Sequence, residues 1–199
     1  MTDQDGNVYK TIQIGEQTWM AENLRVTTFR NGELIQMVDE SEDWENLDTP
    51  AYCVPLDKNA YRDVYGLLYN KYVCSDDRLI APEGWHIPNR DDWYELSNFL
   101  GSGSLAGRKM KEQGFSHWVD PEDINFLGGD NDSGFTALPA GYRVNSYYRF
   151  GRQATWFVDS TPLSDDHISV VSLYDHINDL NFHGYDGYVG FSIRCVKDE

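Results

Sequence analysis

The residues of this chain that could carry chemistry fall into four groups, and three of them lack the spacing their chemistry needs. Cys53, Cys74 and Cys195 are far apart and form no C-x-x-C pair, which argues against a structural zinc site or a thioredoxin-type dithiol. A nucleophilic Cys74 would need a histidine and an orienting acid beside it, and no local signature supplies them. His86, His117, His167, His176 and His183 show neither H-x-x-x-H nor H-E-x-x-H spacing, so no transition-metal centre is expected. His86, next to Trp85 and ahead of Pro88, reads as half of a buried aromatic pair and not as a base or ligand. Asp130, Asn131 and Asp132 gather carboxylate and amide oxygens as a calcium loop does. They lack the EF-hand spacing and its closing bidentate Glu, so an Asx-rich turn is the favoured reading, with calcium as the alternative.

The fourth group is different. Residues 157–196 contain no Trp, Met, Gln, Lys or Glu, although those five types supply 31 of the first 156 residues. Against a background of about one fifth, forty consecutive misses have a chance probability on the order of 10⁻⁴. In their place stand Tyr174, Asp175, His176, Asn178, Asp179, Asn181, His183, Tyr185, Asp186 and Tyr188. Tyrosine gives a large, rigid contact area at low entropy cost, and short polar residues give adaptable hydrogen bonds, so the composition is that of a recognition surface. Trp156 and Asp159 lead into it. The whole set faces outward if Leu173, Ile177, Leu180 and Phe182 point to the core. Spacings of four, three and two fit no single strand, so tight loops are expected, where recognition residues usually gather. Tyr147 and Tyr148 extend the surface. A carbohydrate would stack on the rings, and a protein partner would use the tyrosines as anchors; the composition suits both. The alternative is a solvated pair of strands and turns.

Such a surface needs a scaffold. A strand over residues 8–14, with Val8, Ile12 and Ile14 on one face, turns at Gly15-Glu16 into a second strand over 17–20. Residues 38–50 are acidic and irregular, with Trp44 and Leu47 as anchors, and 65–70 reads as a short buried strand. Asn89 caps a helix with Asp91 and Asp92 in its first turn, Trp93, Leu96 and Leu100 as its inner stripe, and Gly101 as its stop. A shorter helix covers 105–113. A strand near 135–138 and further short strands complete a single α+β domain over residues 1–199 with a loop-rich second half.

A net charge of −17 leaves no basic stripe for nucleic acid. Aromatics at 14% and only seven prolines argue against disorder. No apolar run is long enough to span a bilayer, and the polar first residues lack the apolar core of a secretory signal. Either the protein is not secreted by that route or a signal lies upstream of residue 1.

Six segments in order resemble the Fibrobacter succinogenes major paralogous domain family. They are Asp5-Gly6-Asn7-Val8-Tyr9-Lys10-Thr11, Ile14-Gly15-Glu16-Gln17-Thr18-Trp19-Met20-Ala21-Glu22-Asn23-Leu24 and Tyr65-Gly66-Leu67-Leu68-Tyr69-Asn70. Pro82-Glu83-Gly84-Trp85-His86-Ile87-Pro88, Ser133-Gly134-Phe135-Thr136-Ala137-Leu138-Pro139-Ala140-Gly141-Tyr142-Arg143 and residues 190–196 follow. The resemblance implies a C-type-lectin-like fold, related to the formylglycine-generating enzymes, with paired N- and C-terminal strands and two flanking helices. It implies a cell-surface or secreted module without established catalysis. In the family pattern a Cys precedes the Pro of the Pro-x-Gly-Trp-His motif and can bridge the closing Cys. Ala81 stands there, so Cys195 lacks that partner, and Cys74 is the nearest substitute. The reactive cysteine pair of the related enzymes does not carry over.

Lectin-fold proteins of this kind are also targets of diversity-generating retroelements, which rewrite adenines in a C-terminal segment. Asn codons altered this way yield fifteen residue types and never the five missing from 157–196. The expectation is therefore a non-catalytic protein- or glycan-binding module with a hypervariable C-terminal surface, at a bacterial cell surface or on a phage particle. A thiol-dependent enzyme and a structural subunit of a surface assembly are the alternatives.

Overall fold

Gly15, at φ +64°, turns β1 (Thr11–Ile14) back onto β2 (Gln17–Met20), and Thr11 stands opposite Met20. The turn is also tight against its surroundings: a Cβ on Gly15 would meet the Phe99 ring at 2.9 Å. The computed structural model describes residues 1–38, 44–55, 59–101, 105–118, 127–145, 147–149, 153–164 and 167–199, with the side chains of 59, 147 and 148 excepted. The expected first strand is shortened. Val8 is exposed and only bridges Thr2, so regular pairing begins at Thr11.

The remaining strands are β3 (Gln36–Met37), β4 (Ala51–Cys53), β5 (Leu68–Tyr69), β6 (Trp85–His86), β7 (Tyr142–Val144) and β8 (Tyr147–Arg149). They continue with β9 (Ala154–Ser164), β10 (His167–Tyr174), β11 (Asn181–Asp186), β12 (Phe191–Ser192) and β13 (Val196–Lys197). One sheet has the order β1-β2-β13-β6, so the closing strand lies antiparallel to β2 with Val196 opposite Trp19. The expected pairing of the chain's ends is therefore present. A second sheet has the order β11-β10-β9-β12-β5-β4-β3, and β7 and β8 form a separate ribbon. Four α-helices occur among the described residues: α1 (Arg62–Tyr65), α2 (Lys71–Cys74), α3 (Arg90–Phe99) and α4 (Ala106–Met110). The mixture is α+β, dominated by strands.

Helix α3 starts where its capping chemistry places it. The Asn89 side chain accepts from the Asp91 and Asp92 amides, and Asp92 accepts in return from the Asn89 amide at 2.7 Å. Its inner stripe, Trp93 and Leu96, packs with Trp19, Phe135, Phe157, Val171 and Leu173 on one face of the large sheet. The other face carries Trp156, Val158, Val170, Tyr69 and Phe191. A smaller cluster holds Trp44, Cys53 and Leu68, with Leu47 packed against it. Residues 39–43 of the expected acidic stretch lie outside the described residues.

Two expectations fail for physical reasons. No strand forms at 135–138, because Thr136 takes φ +55° and its amide bonds the Asn131 side chain, while Arg194 takes the carbonyls of Phe135 and Thr136. The last third is also not mainly loops. Its strands β9, β10 and β11 form an antiparallel meander, in which Val171 lies opposite both Phe157 and Phe182. Both faces are covered over residues 154–159 of β9 and 168–173 of β10, so this stretch reads as a nearly continuous apolar run and hides its period of two.

Candidate functional site

Alternation along the meander divides the predicted recognition residues between two faces. Trp156, Tyr174, His183 and Tyr185 share a face with Val158, Ile168 and Val170, as the cross-strand pairs Ser172↔Trp156, Val170↔His183 and Ile168↔Tyr185 require. Asp159 falls on the opposite face, against α3. There its carboxylate receives Arg90 Nε at 2.6 Å, the Ser169 hydroxyl at 2.8 Å and the Thr161 amide at 3.0 Å. The side chain is fully buried.

Three candidates are thereby corrected from surface to scaffold. Asp159 and Trp156 are each 1% exposed, and Asp175 is 6% exposed, its carboxylate bonded to His176 Nδ1 at 2.6 Å. Burial of Asp159 follows from Arg90, a partner 69 residues away that no local pattern announces. Tyr174, Asn178, Asp179, Asn181, His183, Tyr185 and Tyr188 are partly exposed, and His176 and Asp186 are exposed. Tyr147 and Tyr148 lie in β8, and their side chains fall outside the described residues.

The partly exposed aromatics form one connected patch. Trp156 is its floor, with ring centroids 4.6 Å from Tyr142 and 5.4 Å from Tyr174. Tyr174 reaches His176 at 5.6 Å, and Tyr185 reaches Tyr142 at 5.7 Å and Phe191 at 5.2 Å. His183 joins at 6.1 Å from Tyr185. Burial, with Tyr174 and Tyr142 alongside, pushes the Tyr185 phenol up to about 12, so the hydroxyl stays protonated at neutral pH. Burial lowers His183, which therefore stands neutral and bonds the Ser172 hydroxyl at 3.0 Å. The patch thus offers rings and neutral donors. Asp186 and Tyr188 sit at the far end of β11, joined by a 3.0 Å bond from the phenol.

Sequence reasoning missed Tyr142. It lies in a segment that reads as framework, yet its ring touches three members of the patch. The usable signal was alternation, since Tyr142 and Val144 flank a buried Arg143.

The thiols and the acidic turn are engaged elsewhere. No disulfide joins the three cysteines. Cys74 lines a cleft of about 350 Å³ together with Tyr72, Leu163 and Ile168. Its thiol donates to the Asn70 carbonyl at 3.4 Å, and burial pushes its pKa up to about 12. Such a thiol is not a ready nucleophile. Asp130 accepts from Arg108 at 2.9 Å and from the Asp132 amide at 3.1 Å, while Asn131 holds Thr136 through both ends of its amide. These are the bonds of an Asx turn. Among the described residues, no group of three or more His, Cys, Asp or Glu could hold a metal, and no helix is long and apolar enough to cross a membrane.

His86 is not buried. It bridges Asp92 at 3.3 Å and Asp198 at 2.7 Å, tying the C-terminal tail to the start of α3. The bond to Asp92 raises its pKa above 6.5 against the opposing effect of burial. Its contribution to stability is therefore full below pH 6.5 and lost as pH rises through the raised value. Asp92, whose burial is outweighed by the bonds from His86 and the Asn89 amide, is lowered from 3.8, so its share is lost only in acid. The urea-midpoint difference between the parent and His86→Gln should be larger near pH 6 than near pH 8.5. Equal differences would rule out the protonated bridge.

The sequence model of the Fibrobacter succinogenes major domain matches residues 12–197, nearly the whole chain. No curated protein and no solved structure matches it. The chain belongs to the Fibrobacter succinogenes major domain family.

Proposed function

We propose that this member of the Fibrobacter succinogenes major domain family is a non-catalytic binding module with a C-type-lectin-like fold, displaying a hypervariable surface to a protein or glycan ligand. The observation that carries the reading is the connected patch of Tyr142, Tyr174, His176, His183 and Tyr185 over a buried Trp156 floor. Large half-exposed rings seated on a rigid sheet are the groups that dominate recognition energetics. The fold reading draws on the pairing of the terminal strands and on the two helices α3 and α4. Hypervariability draws on the five missing residue types, whose absence matches adenine rewriting of Asn codons. The module acts outside the cell, at a bacterial surface or on a phage particle. A thiol-dependent enzyme is disfavoured by the raised Cys74 pKa, and a purely structural role leaves the half-exposed rings without a use.

The test is a binding screen on glycan and displayed-protein arrays, run in parallel with the Tyr185→Ala/Tyr188→Ala variant. Specific hits should weaken at least about tenfold in the variant, the loss expected when anchor residues are truncated. A hit bound equally well by a folded variant would place recognition elsewhere.

A further inference from the structure

The connection between β10 and β11 carries His176, Asn178 and Asp179, and its main chain is gripped from beneath. Lys111, fully buried at the end of α4, aims its ammonium at three carbonyls: Leu127 at 2.7 Å, Tyr174 at 3.1 Å and Ile177 at 3.1 Å. Burial lowers its pKa to about 8, with Asp175 opposing, so at neutral pH it is charged and offers three donors. The Gly107 amide donates to the Asn178 carbonyl at 2.9 Å. Leu127 donates to the Asp175 carbonyl and Asp175 to the Gln153 carbonyl, both at 2.8 Å. The carbonyls of residues 174, 175, 177 and 178 thus all accept hydrogen bonds donated by other segments.

Two glycines show how close this grip is. A Cβ on Gly107 would stand 2.4 Å from the Asn178 carbonyl oxygen, and one on Gly129 would stand 2.5 Å from the Lys111 carbonyl oxygen. Backbone atoms cannot swing aside, so both positions require glycine. The loop's own side chains add little. Among the described residues, His176 hydrogen-bonds only its neighbour Asp175, and Asn178 Oδ1 is buried with no hydrogen-bond partner.

We infer that Lys111 and Gly107 are positioning residues: a main-chain clamp that fixes the shape of the 174–178 segment whatever side chains occupy 176, 178 and 179. Every residue type has the carbonyls the clamp holds, so it reads no sequence. Proline at 175 would break one of its bonds, by removing the amide that bonds Gln153. The display role rests on the function proposed above; the clamp itself does not.

Hydrogen exchange at the Gly107, Leu127 and Asp175 amides tests it without any ligand, so a failed binding screen leaves it standing. In His176→Ala/Asn178→Ala/Asp179→Ala, exchange at those amides should stay within about twofold of the parent, whereas Lys111→Met should raise it about tenfold or more. Should Lys111→Met not fold, Lys111→Gln carries the same comparison. Faster exchange in the triple variant than in the lysine variant, or an unchanged rate in the lysine variant, overturns the clamp.

Discussion

Replacing Arg194 with methionine is expected to cost about 3–5 kcal/mol of folding stability, since it strips several buried acceptors of their partner at once. Arg194 is 1% exposed and, among the described residues, no carboxylate bonds it. Its guanidinium instead donates to the carbonyls of Phe135 and Thr136 and to Asn23 Oδ1 at 2.7 Å, and it lies over the Phe135 ring at 4.4 Å. Burial pulls its pKa down to about 9, which records the cost of enclosing the charge. Relief of that cost in the methionine variant offsets part of the loss, but the orphaned acceptors each cost about 1–3 kcal/mol. Arg194 joins the closing strand region to the irregular 135–136 segment and to the residues after β2, so the loss spreads beyond one contact. Urea unfolding reads the effect directly, and a midpoint close to the parent's would show that the three acceptors find other partners.

Trp156→Ala is the second large effect, at about 3–5 kcal/mol, the range for emptying a buried aromatic site. The indole is 1% exposed and packs on Tyr142 and Tyr174. Removing it opens a cavity under the patch and frees Tyr142 and Tyr174 from a common support. His176→Ala and Asp186→Ala, on exposed side chains, should by contrast change stability by no more than about 0.5 kcal/mol. Denaturant unfolding of the three variants separates floor from surface. Equal losses in all three would mean the division into scaffold and display is wrong.

That division was only half legible in the sequence. The hairpin at Gly15, the cap at Asn89 and the pairing of the chain ends follow from local turn and cap chemistry together with the family motifs, and each is present. The meander was hidden because residues 154–159 of β9 and 168–173 of β10 are buried on both faces, which erases the alternation that marks a strand. Leu173, Ile177, Leu180 and Phe182 misled for a related reason. Leu173 and Phe182 sit in neighbouring strands, while Ile177 and Leu180 occupy the connection between them, so their spacings belong to no one element. Trp156 and Asp159 read as surface residues because their partners, Tyr142 and Arg90, are distant in sequence. Lys111 gave no sign of its role, since its three acceptors are carbonyls, which no side-chain pattern encodes.

Sequencing the last third of this gene in many clones of one lineage tests the central claim most directly. The account predicts differences confined to Tyr174, His176, Asn178, Asp179, Asn181, His183, Tyr185, Asp186 and Tyr188, with Trp156, Asp159, Asp175 and Arg194 constant. Substitutions spread evenly over buried and exposed positions, or a last third that never varies, would contradict it.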